Sequence, residues 1–176
     1  MTFIIKDKNI FYFNTLFFFS NFVSNFYTKM LTKSSKYGIR AVLYLASNTN
    51  CKRCGFKEIA NALNIPAPFL AKTLQELVRN DIISSIKGPN GGFFLSDKDK
   101  QNSILDVVNC IDGIEKFDEC FLGHPDCNDI NPCAVHHIYA PFKTELLHTL
   151  RAKNISDFSK EIMKNPNSKL YKIINS

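Results

Sequence analysis

"FKEIANALNIPAPFLAKTLQELVRNDIISSIKGPNGGFFLS", residues 56–96, is the stretch whose reading decides the fold. "FKEIANALN" (56–64) is apolar at 56, 59, 60 and 63, the spacing of one face of a short helix. "IPAPF" then turns the chain. "PFLAKTLQELVRND" (68–81) predicts a further helix, with Pro68 near its first turn and Leu70, Leu74, Leu77 and Val78 as the inner stripe. Beyond residue 81 the period changes. "IISSI" and "FFLS" are two short strand candidates, and "KGPNGG" between them is dense in turn formers. Helix, turn, helix and then a two-stranded hairpin is the order of a winged helix–turn–helix.

Working outward, "SSKYGIRAVLYLASNT" (34–49) is apolar at 37, 39, 42, 43, 45 and 46, which predicts an amphipathic helix with Ser34 or Ser35 as N-cap. Downstream, "SILDVVNCIDGI" (103–114) predicts a helix capped by Ser103. "CAVHHIYAPFKTELLHTLRAKN" (133–154) reads as a long helix with Pro141 as a candidate kink. "ISDFSKEIMKN" (155–165) predicts one more, capped by Ser156, and the polar tail beyond Pro166 is expected to fray. Three segments result: an extension over 1–29, a DNA-binding module over 30–100, and a second module over 101–176.

Residues 1–29 differ in character. "IFYFNTLFFFSNFVSNFY" (10–27) is uncharged and rich in Phe. A membrane or signal segment is one reading, but three Asn and two Ser interrupt it and no small-residue cleavage site follows. An added packing arm is another. The favoured reading is translated upstream sequence, with Met30 as the start. No membrane partner and a cytoplasmic location are expected.

The formal charge is +6, unevenly placed. Residues 30–100 hold eleven Lys and Arg against five Asp and Glu, whereas 101–176 hold eight against ten. A basic first module beside a slightly acidic second one points to a polyanionic partner for the first, double-stranded DNA. The second helix of the pair would enter the major groove. Its outward positions are Ala67, Pro68, Ala71, Lys72, Gln75 and Arg79. Lys72 suits a guanine edge and Gln75 an adenine edge, while Arg79 lies further along, toward phosphate or packing. At the hairpin tip Lys87, Asn90 and Gly91 are the candidates for backbone or minor-groove contact.

Six cysteines are present, three of them in "CFLGHPDCNDINPCAVHH" (120–137). Cys120, Cys127 and Cys133 are separated by six and five residues, with a glycine, two prolines and turn formers between. That is looser than the two-to-four-residue spacing usual for structural zinc, and it suits an iron–sulfur cluster, which needs room for bridging sulfides. Zinc remains the alternative. For a fourth ligand, His136 would share a helix face with Cys133. His137 points elsewhere, and His124 stays open. Cys51 and Cys54 form "CKRC" between the first two helices and read as incidental thiols, a thiol-redox pair being the rival. Cys110, on an apolar helix face, reads as a core residue. No nucleophile elbow or phosphate loop occurs, so the chain is not read as an enzyme.

"MLTKSSKYGIRAVLYLA", the 56–96 stretch and the Cys-x6-Cys-x5-Cys loop together resemble the Rrf2 family, bacterial winged-helix transcriptional regulators that include iron–sulfur and nitric-oxide-sensitive members. The likeness covers about 30–165. It implies a mainly α fold with a small β-hairpin wing and a long dimerisation helix (about 133–152), a homodimer, and promoter affinity set by a cluster. It maps the cluster ligands onto Cys120, Cys127, Cys133 and His136. The nitric-oxide branch takes a carboxylate from the start of its first helix, and the matching Lys36 cannot serve. That favours a histidine-ligated 2Fe–2S type over 4Fe–4S. The wing departs from the family's "RGPGGGY", with Lys87 for an arginine, and Ala71 and Lys72 stand where a glutamate and a glutamine are common. The operator therefore does not carry over. A zinc-stabilised or cofactor-free regulator is the alternative function.

Overall fold

The computed structural model describes residues 30–175, and the aromatic-rich segment read above lies outside them. Seven α-helices and one hairpin follow in order among these residues: α1 (Lys33–Ser47), α2 (Phe56–Leu63), α3 (Ala67–Arg79), β1 (Ser84–Ile86), β2 (Gly92–Phe94), α4 (Ile104–Asp112), α5 (His136–Ala152), α6 (Ile155–Lys164) and α7 (Lys169–Ile174). No described helix is long and apolar enough to cross a membrane.

The core assembles from the apolar stripes read in the sequence. Val42 and Leu45 of α1, Ile59 and Leu63 of α2, and Leu70, Leu74 and Leu77 of α3 meet Ile104 and Val107 of α4 and Ile155 of α6 in one buried cluster. Helix α3 starts as its sequence requires, with Pro68 in the first turn, where helix N–H groups have no intrahelical acceptor. Ser103 caps α4 reciprocally: its hydroxyl accepts from the Asp106 N–H at 3.1 Å, and the Asp106 carboxylate accepts from the Ser103 N–H at 2.7 Å.

Several local expectations need correction. Thr32, not Ser34 or Ser35, caps α1 through a bond from the Ser35 N–H, and Ser35 is fully buried in the first turn. The reason is long-range. The Thr32 N–H and hydroxyl both donate to the Asp112 carboxylate, at 2.9 and 2.5 Å, which pins the start of α1 to the end of α4. Asn154, not Ser156, caps α6, accepting from the Asp157 N–H at 2.9 Å. The tail does not fray but forms α7, whose Leu170, Ile173 and Ile174 pack on the core. Helix α5 begins at His136, after Cys133, and none of its residues is fully buried. Cys110 is only half-buried, against the Glu76 carbonyl, and burial followed by the Glu76 charge pushes its thiol upward.

The wing pairs antiparallel, Ser84 with Phe94 and Ile86 with Gly92. Two features hold it. The buried Asp99 accepts from the Ser84 hydroxyl at 2.7 Å and from the Ser96 N–H at 2.9 Å, tying the hairpin's ends together. On the far side of β2, Cys54 forms a bridge with Phe93, each N–H donating to the other's carbonyl at 2.9 Å. The segment between α1 and α2 thus acts as a third, one-residue strand.

Candidate nucleic-acid interface and metal centre

The DNA-facing candidates divide between α3 and the wing. Lys72, Gln75 and Arg79 are exposed along one side of α3, opposite the buried Leu70, Leu74 and Leu77, while Ala67 and Ala71 are half-covered. Lys87 and Asn90 are exposed at the hairpin tip. Gly88 takes φ +110°, in the region that favours glycine. A side chain on Gly91 would meet the Ile86 carbonyl oxygen at 2.1 Å, so Gly91 is needed for the turn itself. A groove lined by Gln75, Arg79, Ile86, Lys87 and Phe93 runs between α3 and the wing. Sequence reasoning missed the exposed Phe69 in the first turn of α3 and Ile86 on the wing, and it missed that Lys52 and Arg53 stand beside β2.

The second candidate site is the loop between α4 and α5. Phe117 anchors its start, only 3% exposed. Phe121 lies against Tyr139 of α5, ring centroids 5.5 Å apart. Between these anchors the sulfurs of Cys120, Cys127 and Cys133 converge within 4.8 Å of one another, each residue half-buried. Cys120 Sγ and Cys133 Sγ are 3.6 Å apart. His136 Nδ1 reaches Cys127 Sγ at 3.2 Å, and its other ring nitrogen lies 3.0 Å from Asp129 Oδ1. His136 therefore joins the group through Cys127 rather than by sharing a helix face with Cys133, which precedes the helix. His124 lines a surface cleft with Cys127 and Cys133, and His137 is exposed. Asp129 was not anticipated; its only sequence signal is a carboxylate inside the loop.

The electrostatics of the group are uneven. Burial pushes the Cys120 thiol up, but the His124 and Leu122 N–H groups and the neighbouring Cys127 and Cys133 outweigh it, leaving Cys120 at about 7. For Cys127 the Cys133 N–H pulls down, and burial with the Cys120 and Cys133 sulfurs prevails, so this thiol is raised. Burial, then the Cys120 and Glu119 charges, raises Tyr139. Three soft donors with an imidazole whose far nitrogen meets a carboxylate is a donor set suited to iron or zinc.

A reading helix with a wing, joined to a Cys3His loop, defines a winged-helix DNA-binding regulator with a candidate metal centre. The chain belongs to the Rrf2 family, described as an iron-dependent transcriptional regulator, which it matches over residues 31–161. It is 30% identical to the HTH-type transcriptional regulator NsrR of Halalkalibacterium halodurans over 128 residues, 72% of this chain and 88% of that one. Among solved structures it is similar to CymR, the global cysteine regulator of B. subtilis, with TM-score 0.60 and 16% identity over 74% of this chain and 96% of that one. It is also similar to T. potens IscR, with TM-score 0.59 and 18% identity over 81% and 94%. These last two likenesses show the fold.

Proposed function

We propose that this Rrf2-family transcriptional regulator binds promoter DNA as a homodimer whose affinity depends on an iron–sulfur cluster held by Cys120, Cys127, Cys133 and His136. The observation that carries the reading is the convergence of three sulfurs within 4.8 Å, with His136 Nδ1 beside Cys127. When bound, such a cluster supplies a centre whose presence and oxidation state follow iron and redox conditions. The histidine donor favours the 2Fe–2S type.

The chain's own residues supply the rest. Residues 30–100 form the DNA-reading module and 101–176 the loop and dimer helices. Lys72 and Gln75 reach base edges, Arg79 and the wing residues Lys87, Asn90 and Gly91 follow the backbone, and two such units read half-sites about one helical turn apart. Helix α5 presents Ile138 and Phe142, 66% and 41% exposed, as the apolar contact with a second copy. The loop leads from α4, which packs on α1 and α3, into α5. Ordering residues 118–137 therefore fixes the start of the dimer helix relative to the reading helix, which sets half-site spacing.

Zinc is the second reading. Two thiolates on one tetrahedral zinc stand about 3.8 Å apart, given Zn–S bonds of about 2.3 Å, and Cys120 and Cys133 are 3.6 Å apart. Anaerobic purification with a visible spectrum and iron and sulfide assays, on wild type and Cys127→Ala, separates the two. Coloured, iron-bearing wild type and colourless Cys127→Ala support the cluster; colourless wild type holding zinc overturns it.

A further inference from the structure

We propose that Cys51 and Cys54 form a second redox site, one that exchanges with low-molecular-weight disulfides and, when oxidised, strengthens DNA binding by fixing Lys52 and Arg53 at the base of the wing. From the sequence "CKRC" reads as incidental thiols, with a thiol-redox pair as the rival reading. The structure favours the rival. It brings the two sulfurs into contact, with Cα atoms 5.6 Å apart, inside the range of about 4.4–6.8 Å that disulfides require. Access is asymmetric. Cys51 is half-buried and Cys54 is fully buried, so Cys51 is the sulfur an incoming reagent meets and Cys54 the one that resolves the intermediate.

The coupling to DNA runs through the backbone. Cys54 exchanges two hydrogen bonds with Phe93 of β2. A side chain on the adjoining Gly92 would come within 2.8 Å of the Cys54 carbonyl oxygen and 3.0 Å of the Arg53 carbonyl carbon. Loop and wing are in direct contact there. Lys52 and Arg53, exposed between the two cysteines, are cations held in a ring that closes only when the disulfide forms. Ordering cations before they meet phosphate removes part of the cost of ordering them on binding.

The chemistry balances as an exchange. The Cys51 thiolate attacks one sulfur of the small disulfide, forming a mixed disulfide and expelling one thiolate. The Cys54 thiolate then attacks Cys51 Sγ; the mixed bond breaks and the second thiolate leaves. Two protein thiols become one disulfide, the reagent is reduced to two thiols, and the two cysteine protons pass to the departing thiolates.

The test uses the full chain, purified without oxygen and equilibrated in graded mixtures of reduced and oxidised glutathione. Thiols are trapped by alkylation and the 51–54 peptide is weighed. Affinity is measured on a duplex that this protein selects from a random-sequence pool. The expected result is an intramolecular disulfide and DNA binding about 5-fold tighter or more in the oxidised form, both absent in Cys51→Ser and Cys51→Ala and both retained in Cys110→Ser, a free cysteine outside both sites. A pair that stays reduced throughout, or equal affinity in the two forms, overturns the proposal. So does an affinity change that persists in Cys51→Ser, which assigns it to cysteines other than this pair. One zinc ion protecting both thiols overturns it as well, in favour of a metal site completed by Glu58, whose carboxylate lies within 4.8 Å of both sulfurs.

Discussion

His136 stands between a sulfur and a carboxylate: Nδ1 is 3.2 Å from Cys127 Sγ and Nε2 is 3.0 Å from Asp129 Oδ1. A carboxylate on the far nitrogen fixes ring orientation and makes the near nitrogen a better donor, an arrangement whose removal costs metal sites about 10- to 100-fold in affinity. Asp129→Asn is expected to keep the coloured species but lose iron about tenfold faster to a chelator. Stopped-flow loss of visible absorbance checks this, and an unchanged rate would remove Asp129 from the site.

Lys72 and Lys87 are expected to fail differently. Lys72→Ala is expected to remove the proposed base contact and lower discrimination at one operator position by about 1–3 kcal/mol. Lys87→Ala weakens binding to all sequences alike and lowers the salt slope by about 1. Salt titrations on an operator and its single-base variants separate the two.

If α5 makes the proposed dimer contact, wild type sediments as a dimer, and replacing Ile138 and Phe142 together by Glu is expected to give monomers at the same concentration, with unchanged helix content. Both side chains are exposed on α5 and contribute nothing to the protomer's buried core, so the folding cost is small. Sedimentation velocity is the measurement.

Asp112 is expected to make stability fall in acid. Burial acts against its charge, but the hydroxyl and N–H of Thr32 outweigh that and hold its carboxyl below the usual value. With the folded pKa depressed, the contribution is full above the unfolded value of about 3.9 and disappears as pH drops through the folded one. Asp112→Asn should lower stability at pH 7 by about 1–2 kcal/mol and narrow its gap from wild type below pH 3. Urea melts across pH test both parts.

Leu74→Ala, at a position with no exposure in the centre of α3, is expected to cost about 2–5 kcal/mol. A loss under 1 kcal/mol would mean that the stripe of α3 is not the core's centre.

The reading helix and wing were legible because Leu70, Leu74 and Leu77 repeat at helical spacing, while "KGPNGG" can do little but turn. The convergence of the three cysteines was foreshadowed by the flexible spacers between them. What escaped notice depends on partners distant in the chain. Ser34 and Ser35 are as good caps as Thr32 by residue type; Asp112, eighty positions away, decides between them. The Cys54–Phe93 bridge is a single residue pair, too short for any periodic signal. Helix α7 was taken for a tail although Leu170, Ile173 and Ile174 carry helical spacing, because Asn and Lys around them dominate its composition.

Pro141 sits six residues into α5 and brings no N–H for the His137 carbonyl. The turn that carries His136 is thus stitched to the remainder of its helix by fewer bonds than any comparable internal turn. Unravelling five residues at that end need not disturb the eleven beyond Pro141. A signal that releases the imidazole would loosen Ile138 with it while Phe142, beyond Pro141, keeps its place, so in the proposed dimer such a release weakens the pairing without abolishing it.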